Sequence, residues 1–272
     1  MAQSLAPIVN GCVFRKAELL RDSSLHPASL PLERLTGQRI AGLARRGKLL
    51  VFSLEGPPAV ASPLSLVVHL RMTGRLFTNA ANTALGKHTR CVFTLEKPDS
   101  SSFQLFFDDA RTFGKILLAS PEILSSWLFW ASMGPEPFNL TATQLKSALN
   151  SRRPIKTALL DQSVIAGIGN IYADETLFAS RLHPLRPAND LDLEELESLL
   201  ANIKVILRDA IAKKGSSIRD YRDAEGRQGA FQKYFSVYSR AGLPCKSCGT
   251  ILEKLRIGGR ASVFCPHCQK LK

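Results

Sequence analysis

The sequence predicts an α+β chain: a β-sandwich first, a helical domain second and a metal-stapled β-hairpin last. Three observations predict it. Short apolar runs broken by turn residues fill the chain to about residue 121, three- and four-residue apolar periodicity takes over from about 141 to 214, and two Cys-x-x-Cys pairs occupy the last 28 residues. Domain boundaries follow at 1–121, 122–229 and 230–272.

In the first domain, Leu49–Leu54, Leu64–Leu70, Arg90–Leu95 and Phe103–Phe107 read as strands, separated by Gly, Pro, Ser and Asn clusters. Some alternate and some do not, as in a sandwich whose faces differ in exposure. Cys12 and Cys91 stand among apolar neighbours and read as core, as do Trp127 and Trp130. In the second domain, Leu193, Leu196, Leu199, Leu200, Ile203, Ile206, Leu207, Ala210 and Ile211 mark one face of a long helix. Acidic residues open it and Lys213-Lys214-Gly215 closes it, in keeping with the helix dipole and a glycine stop. Ahead of it, Ala166-Gly-Ile-Gly-Asn170 makes a tight turn at a helix start. Such a turn either holds a phosphate on open backbone N–H groups or is a plain helix corner. Residues 215–229 are polar and glycine-bearing, a long exposed loop.

Charge points to the partner. Thirty-six Lys and Arg against 23 Asp and Glu give +13 and a pI near 9.7. A field of that sign attracts polyanions, and nucleic acid is the commonest. No apolar run has the length of a membrane span, and the first ten residues lack the pattern of a secretory signal, so a cytoplasmic address without membrane association is expected.

Cys245-Lys-Ser-Cys248 and Cys265-Pro-His-Cys268 are 16 residues apart. Two such knuckles offer four thiolates to one tetrahedral zinc ion, and a redox dithiol is the competing reading. Four protein ligands leave no open coordination position, so the expected Zn2+ is structural, and His267 is expected to stay off the metal. Leu252–Phe264 is long enough for a hairpin turning at Gly258-Gly259, which would set Arg260 at a rigid tip suited to a phosphate.

These pieces, in order, resemble the bacterial formamidopyrimidine-DNA glycosylases, which excise oxidised purines. The resemblance runs through Leu5–Gly11, Arg45–Leu50, His69–Gly74, Lys87-His88, Asp109–Gly114, Gly134–Pro137, Asp161, Gly167–Glu175, Val237-Tyr238, Gly259-Arg260 and Cys265–Gln269. It implies an N-terminal β-sandwich, a helix–two-turn–helix domain and a C-terminal zinc finger. It further implies a monomer that acts in the cytoplasm, at the nucleoid, on double-stranded DNA containing oxidised purines or abasic sites.

The resemblance also implies roles. Lys48 corresponds to the lysine tied to β-elimination, and Arg260 to the residue of δ-elimination and phosphate binding. Read alone, Lys48 is a surface charge after a strand. Met72, Arg111 and Phe113 correspond to the residues that fill the gap left by an everted base; read alone, Met72 and Phe113 are core. His88, Arg152, Arg153, Lys156 and Asn170 correspond to DNA-backbone contacts, with Arg153 equally a solvated charge at a helix start. Ser216–Gln228 corresponds to the loop over the flipped purine, where Ser217, Arg219 and Tyr221 offer donors. Two positions depart from the pattern: Arg90 replaces a histidine, and Ala110 replaces a proline.

The largest departure is at the start. The family pattern begins Pro-Glu-Leu-Pro-Glu, its proline amine the nucleophile and its glutamate the acid, and aligning Pro7 and Gly11 leaves about nine residues of it ahead of Met1. The intact remainder of the site favours a start assigned too late. The expected function is therefore a bifunctional glycosylase and abasic-site lyase; the alternative is a catalytically silent lesion- or abasic-site-binding protein.

Overall fold

A computed structural model describes residues 1–56, 63–80, 83–216 and 229–271. It divides into two compact units: residues 1–131 with 216–229, and residues 132–215 with 230–272. The first boundary thus falls ten residues beyond the expected 121, and the helical and zinc segments share one unit instead of forming two.

The first unit begins with helix α1 (Ala2–Val9), capped by Met1, which buries Leu5 and Val9. Eight strands follow: β1 (Val13–Leu19), β2 (Arg39–Arg46), β3 (Leu49–Glu55), β4 (Leu64–His69), β5 (Gly74–Ala80), β6 (Thr89–Glu96), β7 (Ser102–Asp109) and β8 (Lys115–Ala119). Their order is β5-β7-β6-β1-β2-β3-β4-β8, with antiparallel neighbours throughout. The β1–β2 joint is a single residue pair, Val13 with Arg39. On either side of that joint the strands form four-stranded halves, and Phe93, Leu95, Leu105 and Phe107 from one half share a core with Leu50, Phe52, Leu66 and Ile116 from the other. The expected sandwich is therefore one hydrogen-bonded sheet closed over a single core, with Cys12 and Cys91 inside it as expected.

Helices α2 (Pro121–Ser126) and α3 (Leu128–Ala131) complete this unit. Trp127 and Trp130 are only half-buried, so the core expectation is corrected. Their rings meet polar and charged groups, Trp127 against His26 and Trp130 beneath the Arg46 guanidinium, and such faces suit the rim of a core.

The second unit packs α4 (Ala142–Ala148), α5 (Ile155–Leu160), α6 (Asn170–Ala179) and α7 (Leu193–Ala212) around one apolar core. Asp192 and Glu195 form a reciprocal capping box at the start of α7, and Leu196, Leu199, Leu200, Ile203 and Ala210 are the buried face, whereas Leu193 and Ile211, assigned to that face by periodicity, lie at the helix ends and are exposed. The helix ends where Gly215, at φ +82°, donates back to the Ala210 carbonyl.

Strands β9 (Glu253–Ile257) and β10 (Arg260–Phe264) form the hairpin at the expected place. Gly258 and Gly259 both have positive φ, +54° and +76°, the conformation of a two-residue turn that only glycine adopts without strain. At Gly258 a side chain would also come within 3.3 Å of the Thr157 hydroxyl, so the tip lies close against α5.

Candidate nucleic-acid interface and metal centre

The four sulfurs of Cys245, Cys248, Cys265 and Cys268 lie within 4.8 Å of one another, and two pairs are 3.5 Å apart. A tetrahedral zinc with bonds near 2.3 Å would separate its sulfurs by about 3.8 Å, so the four thiols fit one ion. His267 is exposed and outside the cluster, as expected. The Thr250 hydroxyl and amide beside Cys248 hold its thiol down at about 6, which favours the thiolate a metal needs. Behind the ligands, Val237, Leu252 and Val263 pack with Cys245, Cys265 and Phe178 of α6. The buried Gln269 accepts from the Cys265 amide and donates to the Leu182 carbonyl, tying the second knuckle to the helices.

Arg260 stands exposed beside the hairpin turn. A cleft of about 210 Å³ lies here, lined by Arg153, Thr157, Leu160, Asp161, Ile257, Gly258 and Arg260. Arg153 pairs with Asp161 at 2.7 Å. Burial raises the Asp161 carboxyl, but the Ser163 hydroxyl and amide and the Arg153 guanidinium outweigh it and leave the group below its ordinary value. Arg152 is exposed, free of the burial that confines its neighbours. Asn170 is the first residue of α6, and its Nδ2 donates to the Ala261 carbonyl at 3.1 Å. In the turn before it, Gly167 takes φ +90° and its N–H is accepted by the Gln162 side chain, so this donor is already spent within the protein.

Lys156 overturns its expectation. It was to contact the DNA backbone, yet its side chain is fully buried and pairs with Asp174 at 2.6 Å while donating to the Ala261 carbonyl at 2.7 Å. A lysine enclosed in this way has no reach to a phosphate. Burial pushes its ammonium below the ordinary lysine value and pushes the Asp174 carboxyl above its own.

In the first unit, two turns bring Met72, Arg111 and Phe113 together. Met72 is 72% exposed and Phe113 52%, so neither is core. Arg111 lies between them, its guanidinium 3.6 Å from the Met72 sulfur and 5.0 Å from the centre of the Phe113 ring. Asp109, fully buried, holds both turns: one oxygen accepts from the Thr73 hydroxyl and the Arg111 amide, the other from the Gly114 amide at 2.7 Å. Gly114 leaves no room for a side chain, since a Cβ would stand 2.6 Å from the Phe107 ring.

Lys48 follows Gly47 in the β2–β3 turn and is half-buried. Next to it in charge, though not singled out by sequence, is His69. Burial, with the nearby positive charges of Arg71 and Lys48, pushes its imidazole down to about 4, and its Nδ1 accepts the Arg71 amide at 2.9 Å. His88 is exposed, its carbonyl paired with the Asp109 amide. Arg90 donates to the Asp109 carbonyl at 2.8 Å, so it serves the same loop instead of standing free for a phosphate. Ser217, Arg219 and Tyr221 lie outside the described residues. Sequence reasoning took His69, Asp109, Asp174 and Glu175 only as members of motifs; what singles them out is burial.

A hairpin tied to a four-thiol metal centre and carrying an exposed arginine, in a chain of net charge +13, is a combination found among nucleic-acid-binding proteins. Comparison with known proteins narrows it. Residues 1–116 match the formamidopyrimidine-DNA glycosylase N-terminal domain, 133–222 its H2TH domain, and 242–271 the zinc finger found in FPG and IleRS. The formamidopyrimidine-DNA glycosylase of Thermomicrobium roseum is 43% identical over 286 aligned positions covering 99% of this chain and 96% of its own. That of Nitratidesulfovibrio vulgaris is 46% identical over 242 residues, 86% of this chain and 65% of the relative. Lactococcus lactis Fpg in complex with abasic-site DNA superposes with a TM-score of 0.87 at 31% identity, over 99% and 97% of the two chains. FPG from Thermus thermophilus gives 0.85 at 35%, over 100% and 96%. The chain belongs to the formamidopyrimidine-DNA glycosylase family.

The metal centre predicts one zinc per chain by elemental analysis, and loss of that zinc together with weaker DNA binding in Cys248→Ser, because ligation and folding of the hairpin are coupled. Folded protein free of zinc would contradict the assignment. A second expectation concerns His69. Its folded pKa near 4 lies below the ordinary 6.5, so the folded state binds fewer protons between these values. Stability present above pH 6.5 is then lost as pH falls toward 4, by roughly 3 kcal/mol. Denaturant titrations across that range should show a shallower slope in His69→Gln; an unchanged slope would locate the pH dependence elsewhere.

Proposed function

We propose that this chain is a base-excision-repair glycosylase that removes oxidised purines, 8-oxoguanine and formamidopyrimidines, from double-stranded DNA and nicks the resulting abasic site by β,δ-elimination. The observation that carries the reading is the exposed Met72–Arg111–Phe113 group. Large apolar side chains held in water on rigid turns cost stability, and they need a partner that buries them. A glycosidic carbon is inaccessible inside a duplex, so its nucleotide must swing out and leave a gap. Two apolar wedges fill such a gap, and a guanidinium between them can hydrogen-bond the orphaned base.

The other residues take supporting parts. Arg260 and Arg152 offer exposed positive charge for phosphates, with Asn170 at a helix start where an anion is favoured. In this reading Lys48 would transfer a proton at the opened sugar, as the family resemblance implies, and the neutral His69 near it adds no competing charge. The nucleophile implied by the family is a proline amine at the head of its pattern. An α-amino group titrates near 7.7–8.0, so a useful fraction is neutral and nucleophilic at pH 7. It would form a Schiff base at the sugar C1′ as the base departs. The formamidopyrimidine-DNA glycosylase of Thermomicrobium roseum, and the Lactococcus lactis complex with abasic-site DNA, support this reading.

Replacing Met72 and Phe113 together by Ala should lower kcat/KM for lesion excision from duplex by roughly tenfold or more, with Tm nearly unchanged because both side chains are exposed. Full excision would remove the wedge role, and a collapse of Tm would return the pair to the core. The lyase step is read by borohydride trapping on abasic-site DNA, comparing the 272-residue chain with a version carrying Pro-Glu-Leu-Pro-Glu-Val-Glu-Thr ahead of it and a free proline amine. Strong trapping is expected only with the proline present. Equal trapping by both would move the nucleophile to another amine, and trapping by neither, with tight binding, would favour a silent binder.

A further inference from the structure

We infer that the buried Lys156–Asp174 pair is a latch that aims Arg260, so that both residues serve DNA binding as positioning residues without touching DNA. The inference rests on the reading that Arg260 holds a phosphate.

Geometry makes such a device necessary. The zinc ligands sit at the base of the hairpin, where Cys265 directly follows β10, and Arg260 is at the opposite end of that strand. Five residues at about 3.4 Å each separate them, some 17 Å. A two-stranded ribbon is marginally stable and twists readily, so an ion at one end controls the other end poorly.

The latch grips the ribbon close to the tip. Each of the three residues after Arg260 is held by it. The Ala261 carbonyl accepts from Lys156 Nζ, the Ser262 hydroxyl donates to Asp174 Oδ1 at 2.8 Å, and the Val263 amide donates to Asp174 Oδ2 at 3.2 Å. Asn170 adds a second donor on the Ala261 carbonyl. Lys156 comes from α5 and Asp174 from α6, so the strand is referred to two helices at once.

Charge supports the same role. Arg260 is close enough to Lys156 to weigh against its ammonium. The Asp174 carboxylate offsets that repulsion and lets a guanidinium rest beside a buried cation. Buried ion pairs contribute little stability against apolar replacements of similar size, so orientation of the tip is the better account of this one.

The test is a double-mutant cycle in zinc-loaded protein. Lys156→Met with Asp174→Asn removes both charges and leaves no orphan, and is combined with Arg260→Ala. Affinity for a duplex with a tetrahydrofuran abasic-site analogue is measured across salt, together with zinc content and amide exchange at Val263. Arg260→Ala alone should flatten the salt slope by about one unit. The neutral pair should keep its zinc, speed Val263 exchange and reproduce most of that loss, and adding Arg260→Ala should then cost less than about twofold more. Additive losses, or unchanged Val263 exchange, would overturn the latch. Binding that falls only in step with zinc loss would do the same, by making the pair a folding element alone. If the neutral pair does not fold, Ser262→Ala removes one bond of the latch and should show the same non-additivity at smaller size; additivity there overturns it equally. Should Arg260→Ala change nothing in otherwise unaltered protein, the phosphate reading falls by itself. The latch is then judged on Val263 exchange, rapid in the variant if it holds the strand and unchanged if it does not.

Discussion

Two adjacent buried carboxylates on α6 organise the second unit. Asp174 is 2% exposed and Glu175 5%, and consecutive helical residues point about 100° apart, so the two reach different segments. Asp174 takes Lys156, Ser262 and the Val263 amide, while Glu175 accepts the amides of Ser236, Val237 and Tyr238 at 2.8–3.0 Å. Burying a carboxylate is costly unless its oxygens are filled with donors, and here each has three. One helix thus refers both the zinc hairpin and the chain leading into it to the same core, to which Phe178 and Gln269 add further ties.

The first unit solves a similar problem with one residue. Asp109 has no exposed surface, yet its two oxygens govern the turns that carry Met72, Arg111 and Phe113. The buried acid is rigid and the side chains it presents are exposed. Side chains held in place beforehand lose less conformational freedom in any contact they make. The Ala110 departure from the family's proline is compatible with this, because the turn is held by the Asp109 carboxylate as well as by backbone restriction.

Legibility followed the range of the interactions. Four of the eight strands of the first unit were readable as apolar runs; β5 and β8 were not assigned, and β1 (Val-Phe-Arg-Lys-Ala-Glu-Leu) and β2 (Arg-Ile-Ala-Gly-Leu-Ala-Arg-Arg) were hidden because charged residues interrupt the pattern. The Trp127–Trp130 stretch looked like core because composition cannot distinguish a core from a rim of rings beside His26 and Arg46. The motif carrying Lys156 suggested a phosphate contact. Its partner Asp174 is 18 residues away and the carbonyl it donates to is 105 residues away, separations at which no local pattern reports a contact.

The sequence alone determined the features built from neighbouring residues. These are the two knuckles that converge four thiols, the glycine pair that turns the hairpin, the acidic cap and apolar face of α7, and the ordered motifs of the family. Each is written within a few residues, because ligand spacing, backbone dihedrals and helical periodicity are local. Tertiary structure alone decided which charges face solvent and which are enclosed: Arg260 and Arg111 exposed, Lys156 and Asp109 buried, His69 kept neutral. The reason is that the free energy of a charged or polar group depends on desolvation and on partners supplied by distant segments, and packing brings those together only once the chain has folded.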